Sequence, residues 1–77
     1  MTGLLKRSVT LNGHRTSISL EPEFWDEVKR LADRRAISVN ALISEIDHAR
    51  TAVSEPEPRN LSSAVRVHVL RALREGH

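Results

Sequence analysis

Polar and apolar residues alternate without interruption from Arg15 to Leu20, which is the pattern of a β-strand with one buried face. The positions that share the apolar face are Thr16, Ile18 and Leu20, and those of the other face are Arg15, Ser17 and Ser19. A lone strand leaves the N–H and C=O groups of both its edges unpaired. The pattern therefore predicts that residues 15–20 form a ribbon strand that pairs with another strand.

A second β-prone run and a turn signal precede this strand. Residues 8–11 favour a strand, and Asn12-Gly13 is the dipeptide most typical of a two-residue type I′ hairpin turn. In such a hairpin the facing residues have numbers that add up to 25, the sum for Asn12 and Gly13. The polar face would then carry the pairs Lys6–Ser19, Ser8–Ser17 and Thr10–Arg15. Residues 1–14 are thus predicted to be either a hairpin strand or an N-terminal arm.

Three helical patterns follow, and with the strand they predict a single domain over residues 1–77. Helix one is expected over residues 22–35, because Pro22 suits a first turn and apolar residues then recur at helical spacing. Ser38 is a favourable N-cap for helix two, over residues 38–53. Two prolines within residues 54–59 predict an extended linker. Helix three is expected over residues 60–75, and its broad apolar stripe must pack on the other helices or on a second chain.

Composition excludes several classes of protein. The chain has 77 residues and no cysteine, so it can hold one small core and has no disulfide or cysteine-based zinc site. Its four histidines lack close metal-ligand spacing, and the sequence contains no nucleophile elbow or phosphate loop. We therefore expect no enzymatic activity, no catalytic or metal-binding residue and no cofactor. With no signal peptide or membrane-spanning run either, a cytoplasmic protein is expected.

Positive charge is concentrated around the ribbon strand, although the net charge of the chain is only +2. Residues 1–20 contain Lys6, Arg7 and Arg15 and no acidic residue, whereas residues 21–50 carry more acidic than basic side chains. Cations gathered on one short segment favour an anionic partner at that segment.

A strand with alternating polar residues, followed by two helices, resembles the ribbon-helix-helix DNA-binding domain of the Arc, MetJ and CopG repressors. The residues that carry the resemblance are Arg15 to Leu20 for the ribbon, Pro22 to Arg35 for the first helix and Ile37 to Ile43 for the start of the second. The N-terminal segment and the extra third helix look like a small, mostly uncharacterised alphaproteobacterial branch of that family. The fold class this implies is mainly α with a short β-ribbon, arranged as an intertwined dimer.

The resemblance implies a bacterial, dimeric transcriptional regulator that acts as a repressor and whose two-stranded ribbon enters the major groove of double-stranded DNA. The residues expected to contact bases are Arg15, Ser17 and Ser19. Those expected to contact phosphates are Ser38, Val39 and Asn40 at the start of helix two, together with Lys6 and Arg7. The chain departs from many relatives at Ala36, where they have a glycine that ends helix one in a left-handed turn. Alanine there either costs about 1 kcal/mol or bends the turn differently.

Two other functions are compatible with the same fold. The chain could be a protein-interaction module without DNA binding, or an antitoxin whose residues after Ser54 fold onto a toxin. A hairpin from each of two chains would give a four-stranded sheet that is too broad for the major groove, unless the first strand is a loose arm that follows the phosphates. This geometry leaves open a protein partner at the N-terminal hairpin or at the C-terminal helix.

Overall fold

The computed structural model describes residues 3–52 and 60–76, and within them two strands are followed by three helices. The strands are β1 (Leu5–Leu11) and β2 (His14–Leu20), and the helices are α1 (Pro22–Arg34), α2 (Val39–Ala52) and α3 (Leu61–Arg74). This is the expected fold class of a short β-ribbon with helices, the third helix included. The linker predicted at residues 54–59 and the last residue predicted for helix two, Val53, lie outside the described residues.

The two strands form an antiparallel hairpin within one chain. Asn12 has φ 52° and Gly13 has φ 79°, so both central residues are left-handed, as a type I′ turn requires. Lys6 lies opposite Ser19, Ser8 opposite Ser17 and Thr10 opposite Arg15. The register predicted from the Asn12-Gly13 turn is thereby confirmed, and residues 5–11 form a hairpin strand.

One face of the hairpin packs on the helices and closes the hydrophobic core. Ile18 and Leu20 of β2 are fully buried, and the core also takes residues from β1 and from each helix. The buried core residues are Val9, Leu11, Ile18, Leu20, Trp25, Val28, Leu31, Ala32, Leu42, Ile43, Ile46, Ala64, Val65, Val69 and Ala72. The core is thus built from all five elements of a single chain.

The turn between α1 and α2 depends on a left-handed residue that is not glycine. Ala36 has φ 55°, and its N–H donates to the C=O of Asp33 at 3.0 Å. The N–H of Ile37 reaches back to the C=O of Ala32, also at 3.0 Å. This pair of bonds is the Schellman motif, in which glycine is the usual left-handed residue. Ala36 therefore forms the same left-handed turn as the glycine that many relatives have at this position.

Helix α3 packs against its own chain. The Asn60 side chain caps its first turn by accepting a hydrogen bond from the Ser63 N–H at 2.7 Å. Val65 and Val69 are 0% and 1% exposed, and α3 as a whole contacts α1, α2 and β2. The apolar stripe of helix three was predicted to pack on the other helices or on a second chain. In the structure it packs on the helices of the same chain, and also on β2. No described helix is long and apolar enough to cross a bilayer.

Candidate nucleic-acid interface

The face of the hairpin turned away from the helices carries six polar side chains and no acidic one. They are Lys6, Ser8 and Thr10 of β1 and Arg15, Ser17 and Ser19 of β2, here called the polar ribbon face. All are exposed except Ser19, which is half-buried. The residues predicted from the sequence to contact bases therefore lie together on one accessible surface.

The chemistry of the polar ribbon face suits a polyanion with hydrogen-bonding groups. An arginine guanidinium can donate two parallel hydrogen bonds to a guanine edge or to a phosphate, and a serine hydroxyl can both donate and accept. Among the described residues, the salt bridges join helical or helix-capping residues, and none involves Lys6 or Arg15. Both cations are therefore available to an external anion.

The two edges of the ribbon differ. At the β1 edge, the Thr10 N–H donates to Asn40 Oδ1 and Asn40 Nδ2 donates to the Thr10 C=O, each at 2.9 Å. The N–H and C=O groups of Thr10 point out of the hairpin, so those of Arg15, which lies opposite, also point outward. Along β2 this direction repeats at every second residue, which includes Ser17 and Ser19. Within the described residues no hydrogen bond joins these β2 groups to another element. The β1 edge is thus capped at Thr10, whereas none of the outward groups of β2 is capped in the described part of the chain.

The amino terminus of α2 lies beside the ribbon because Asn40 holds it there. Ser38 acts as the N-cap: its Oγ accepts from the Ala41 N–H at 2.9 Å, and its C=O accepts from the Leu42 N–H at 3.0 Å. The amides of Val39 and Asn40 stand at the positive end of the helix dipole, where anions are favoured. The structure thus brings Ser38, Val39 and Asn40 next to the Thr10 end of β1.

Lys6 and Arg7, grouped in the sequence analysis as phosphate contacts, lie on opposite faces of β1. Lys6 belongs to the polar ribbon face, whereas the Arg7 guanidinium lies 5.2 Å from the centroid of the Trp25 ring on the helical side. Trp25 is 2% exposed and its Nε1 donates to the Leu5 C=O at 2.9 Å. Arg7 is thus held by a cation–π contact at the edge of the core.

The Asn40 side chain makes a contact that the sequence did not predict. Asn40 was expected to act only through its position at the start of helix two, yet its amide group ties that helix to the ribbon. No local signal in the sequence marks this contact, because it depends on how α2 packs against β1. An asparagine in the first turn of a helix is ordinarily solvated or serves as a cap.

Comparison with known families agrees with this geometry. The model of the family described as Ribbon-helix-helix domain matches residues 4–73, a range that takes in both strands and extends through all but the last residue of α3. Domains of this family are generally DNA-binding regulators that bind DNA as dimers, and the fold is a non-enzymatic, regulatory one. No curated protein and no solved structure matches the chain.

Proposed function

Because the chain belongs to the ribbon-helix-helix family, we propose that it is a homodimeric, sequence-specific DNA-binding protein that represses transcription. The observation that carries this proposal is the polar ribbon face, an exposed surface with two cations, four hydroxyls and no carboxylate. A DNA groove presents hydrogen-bonding base edges between two rows of phosphates, and this surface has the groups to meet both.

Base recognition is assigned to Arg15, Ser17 and Ser19. Arg15 is the side chain of the three that can bind a base bidentately, and one such contact discriminates between bases by about 1–3 kcal/mol. Ser17 and Ser19 accept or donate to several bases and therefore contribute less to the choice of sequence. Phosphate contacts are assigned to Lys6 and to the amides of Val39 and Asn40 beneath the Ser38 cap. Arg7, held against Trp25, is left out of the set.

The open β2 edge supplies the dimer interface in this proposal. Natural sheets protect edges that are not meant to pair. Asn40 occupies the β1 edge at Thr10, whereas among the residues that the structure describes no hydrogen bond covers the outward groups of Arg15, Ser17 and Ser19 of β2. A second copy can add its own β2 antiparallel, with Ser17 near the twofold axis and Arg15 opposite the partner's Ser19. Since the core is closed within one chain, edge pairing is sufficient and no exchange of helices is needed.

The resulting sheet would have four strands, and its width decides how it meets DNA. Strands lie about 4.8 Å apart, so the outer backbones would be roughly 14 Å from each other, against a major groove about 12 Å wide. The two β2 strands therefore occupy the groove, and each β1 lies over a wall, where phosphates run. This arrangement places Lys6 over phosphates and Arg15 over bases, in agreement with the roles assigned above.

The DNA-binding proposal is tested by selecting duplexes from a random pool and measuring affinity by fluorescence anisotropy at several salt concentrations. Arg15→Ala should weaken the selected duplex at least about tenfold. The matched control is Lys29→Ala, which removes an exposed cation from α1 on the other side of the sheet and should leave affinity unchanged. Lys6→Ala should lower the salt slope by about 0.9 per lost phosphate contact. Equal binding by the Arg15 and Lys29 variants would overturn the assignment.

The dimer is tested by sedimentation of two proline variants. Proline removes an N–H, which a strand tolerates only where that N–H points outward. Ser17 and Ser8 face each other and both direct their N–H outward, Ser17 at the β2 edge and Ser8 at the β1 edge. Ser17→Pro should give a folded monomer of about 8.7 kDa, whereas Ser8→Pro should remain a dimer. A monomeric wild-type chain at micromolar concentration would contradict the proposed interface.

A second candidate function is binding of another protein, including the antitoxin role. Leu70 and Leu73 of α3 are 52% and 49% exposed, and Leu4 and Leu5 at the start of β1 are exposed to the same degree. Such side chains on two different elements give a protein partner apolar contacts. This candidate is favoured over DNA binding if the wild-type chain shows no salt-dependent affinity for any duplex selected from the pool.

A further inference from the structure

A cleft of about 380 Å³ opens where the carboxyl ends of α1 and α3 approach α2. Three apolar residues lie at its base: Leu31 of α1, Leu42 of α2 and Ala72 of α3 are 7%, 1% and 8% exposed. The other lining residues are Arg34, Arg35, His68, Arg71 and Glu75. The cleft therefore joins an apolar floor to a charged rim, the usual composition of a small-molecule site.

Of the three arginines at the rim of the cleft, one is paired with a carboxylate and the other two give the rim a positive charge. Arg35 donates two hydrogen bonds to Glu45, at 2.7 and 3.1 Å, so its charge is balanced. Arg34 and Arg71 come from different helices and take part in none of the salt bridges formed by the described residues. Glu75 is the one acidic residue among those lining the cleft. Two guanidinium groups thus remain to receive an anion above the apolar floor.

We propose that this cleft binds a small organic anion, a carboxylate with a compact apolar body, as an effector of the proposed regulator. The apolar body would rest on Leu31, Leu42 and Ala72, and the carboxylate would lie between Arg34 and Arg71. A volume of about 380 Å³ is near the lower end of ligand pockets, which run from about 300 to 1,000 Å³, so a ligand with one or two rings fits. Guanidinium groups bind carboxylates with charge-assisted hydrogen bonds, which supplies the preference for an anion.

The position of the cleft allows it to act without blocking DNA. All its lining residues belong to the three helices or to the caps at their carboxyl ends, and none belongs to the polar ribbon face. Arg35 leads directly into the Ala36 turn and then into α2, whose Asn40 is bonded to the ribbon. A ligand that holds the carboxyl end of α1 against α3 thereby acts on the segment that positions α2.

The test uses the full chain without DNA, so that its failure is separate from any failure of the proposed function. ¹⁵N-labelled protein is titrated with benzoate. Two control ligands are titrated in the same way: acetate, which has a carboxylate but no ring, and benzyl alcohol, which has a ring but no charge. Benzoate should produce saturable amide shifts at Leu31, Leu42 and Ala72, and bind about tenfold more tightly than either control. Arg71→Gln should weaken benzoate binding severalfold.

Arg74→Gln is the matched control, because Arg74 lies on the same helix, is exposed and does not line the cleft. This variant should bind benzoate as the wild type does. Shifts that fail to saturate, equal shifts with acetate and benzoate, or equal losses in the Arg71 and Arg74 variants would each overturn the site. The wild-type-like spectrum of each free variant verifies that the fold is intact before the titration.

Discussion

The side chain of Asn40 is hydrogen-bonded to both backbone groups of Thr10, a residue 30 positions earlier in the chain. Both bonds measure 2.9 Å, one with the Asn40 carbonyl as acceptor and one with its amide as donor. An amide side chain thus occupies the place that a neighbouring strand would take. It fastens the start of α2 to the ribbon, so that the groups proposed to contact phosphates and bases keep a fixed separation.

Asn40→Ala should lower the free energy of unfolding by about 1–3 kcal/mol, because each of the two hydrogen bonds contributes roughly 0.5–1.5 kcal/mol. Asn40→Asp keeps the acceptor for the Thr10 N–H but sets a carboxylate oxygen against the Thr10 C=O, so it should also destabilise the protein. Urea denaturation measures both, and hydrogen exchange at the Thr10 amide reports the site directly. Unchanged exchange at Thr10 in the alanine variant would contradict the contact.

Ala36→Gly should stabilise the protein by about 1 kcal/mol, because Ala36 has φ 55° and an L-residue with a Cβ is strained there. The same change at Ala41, inside α2, should destabilise by a similar amount, since glycine is a poor helix former. Opposite shifts of the two urea midpoints are the expected result. Destabilisation by both substitutions would show that Ala36 is not strained.

Val65→Ala should destabilise the fold by about 2 kcal/mol, since it leaves a cavity at a side chain that is 0% exposed. Val67, two residues on in α3, is only half-buried, so Val67→Ala removes the same atoms at much smaller cost. Thermal unfolding followed by circular dichroism compares the two variants. Equal melting temperatures would mean that α3 does not pack on the core.

Stability should decline in two stages as the solution is acidified. Burial lowers the pKa of His68 from its ordinary 6.5, and the positive charge of nearby Arg35 adds a smaller effect in the same direction. On acidification the unfolded chain therefore binds a proton at His68 before the folded chain does. The free energy of unfolding should decrease as the pH falls below about 6.5. The hydrogen bond from Arg35 lowers the pKa of Glu45 from 4.5, and its contribution is lost as pH falls further. Melting temperatures from pH 8 to about 3 measure both stages. His68→Asn should remove the first stage and Glu45→Gln should reduce the second.

The hairpin could be predicted from the sequence because its determinants are local. Asn12-Gly13 defines the turn, and the alternation of polar and apolar residues defines the face of each strand. The same alternation indicates the orientation of Arg7. Arg7 and Val9 are two residues apart in β1, so both side chains lie on the face that packs on the helices. The role of Arg7 as a phosphate contact stays a prediction, because the side chain is exposed although it lies against Trp25.

Other features could not be predicted from the sequence because they depend on how the helices pack. Nothing in the neighbourhood of Asn40 indicates that Thr10 lies within hydrogen-bonding distance. The cleft between Arg34 and Arg71 likewise exists because the carboxyl ends of two helices meet beside α2. Amphipathic spacing predicts which side of a helix is buried, and it leaves open which neighbour covers that side.

The two-residue turn at Asn12 and Gly13 affects how the proposed reading surface responds to the number of molecules in a cell. Because β1 and β2 belong to one chain, they come together in a first-order step, on the microsecond timescale of hairpin formation. A ribbon made from strands of two different chains exists only while the chains remain associated, and mass action dissolves it on dilution. Here dilution would separate two copies that each keep a complete strand pair. The occupancy of DNA would then fall because the contacts of the second copy are lost. Each newly synthesised chain would already have its own folded hairpin with a complete polar ribbon face.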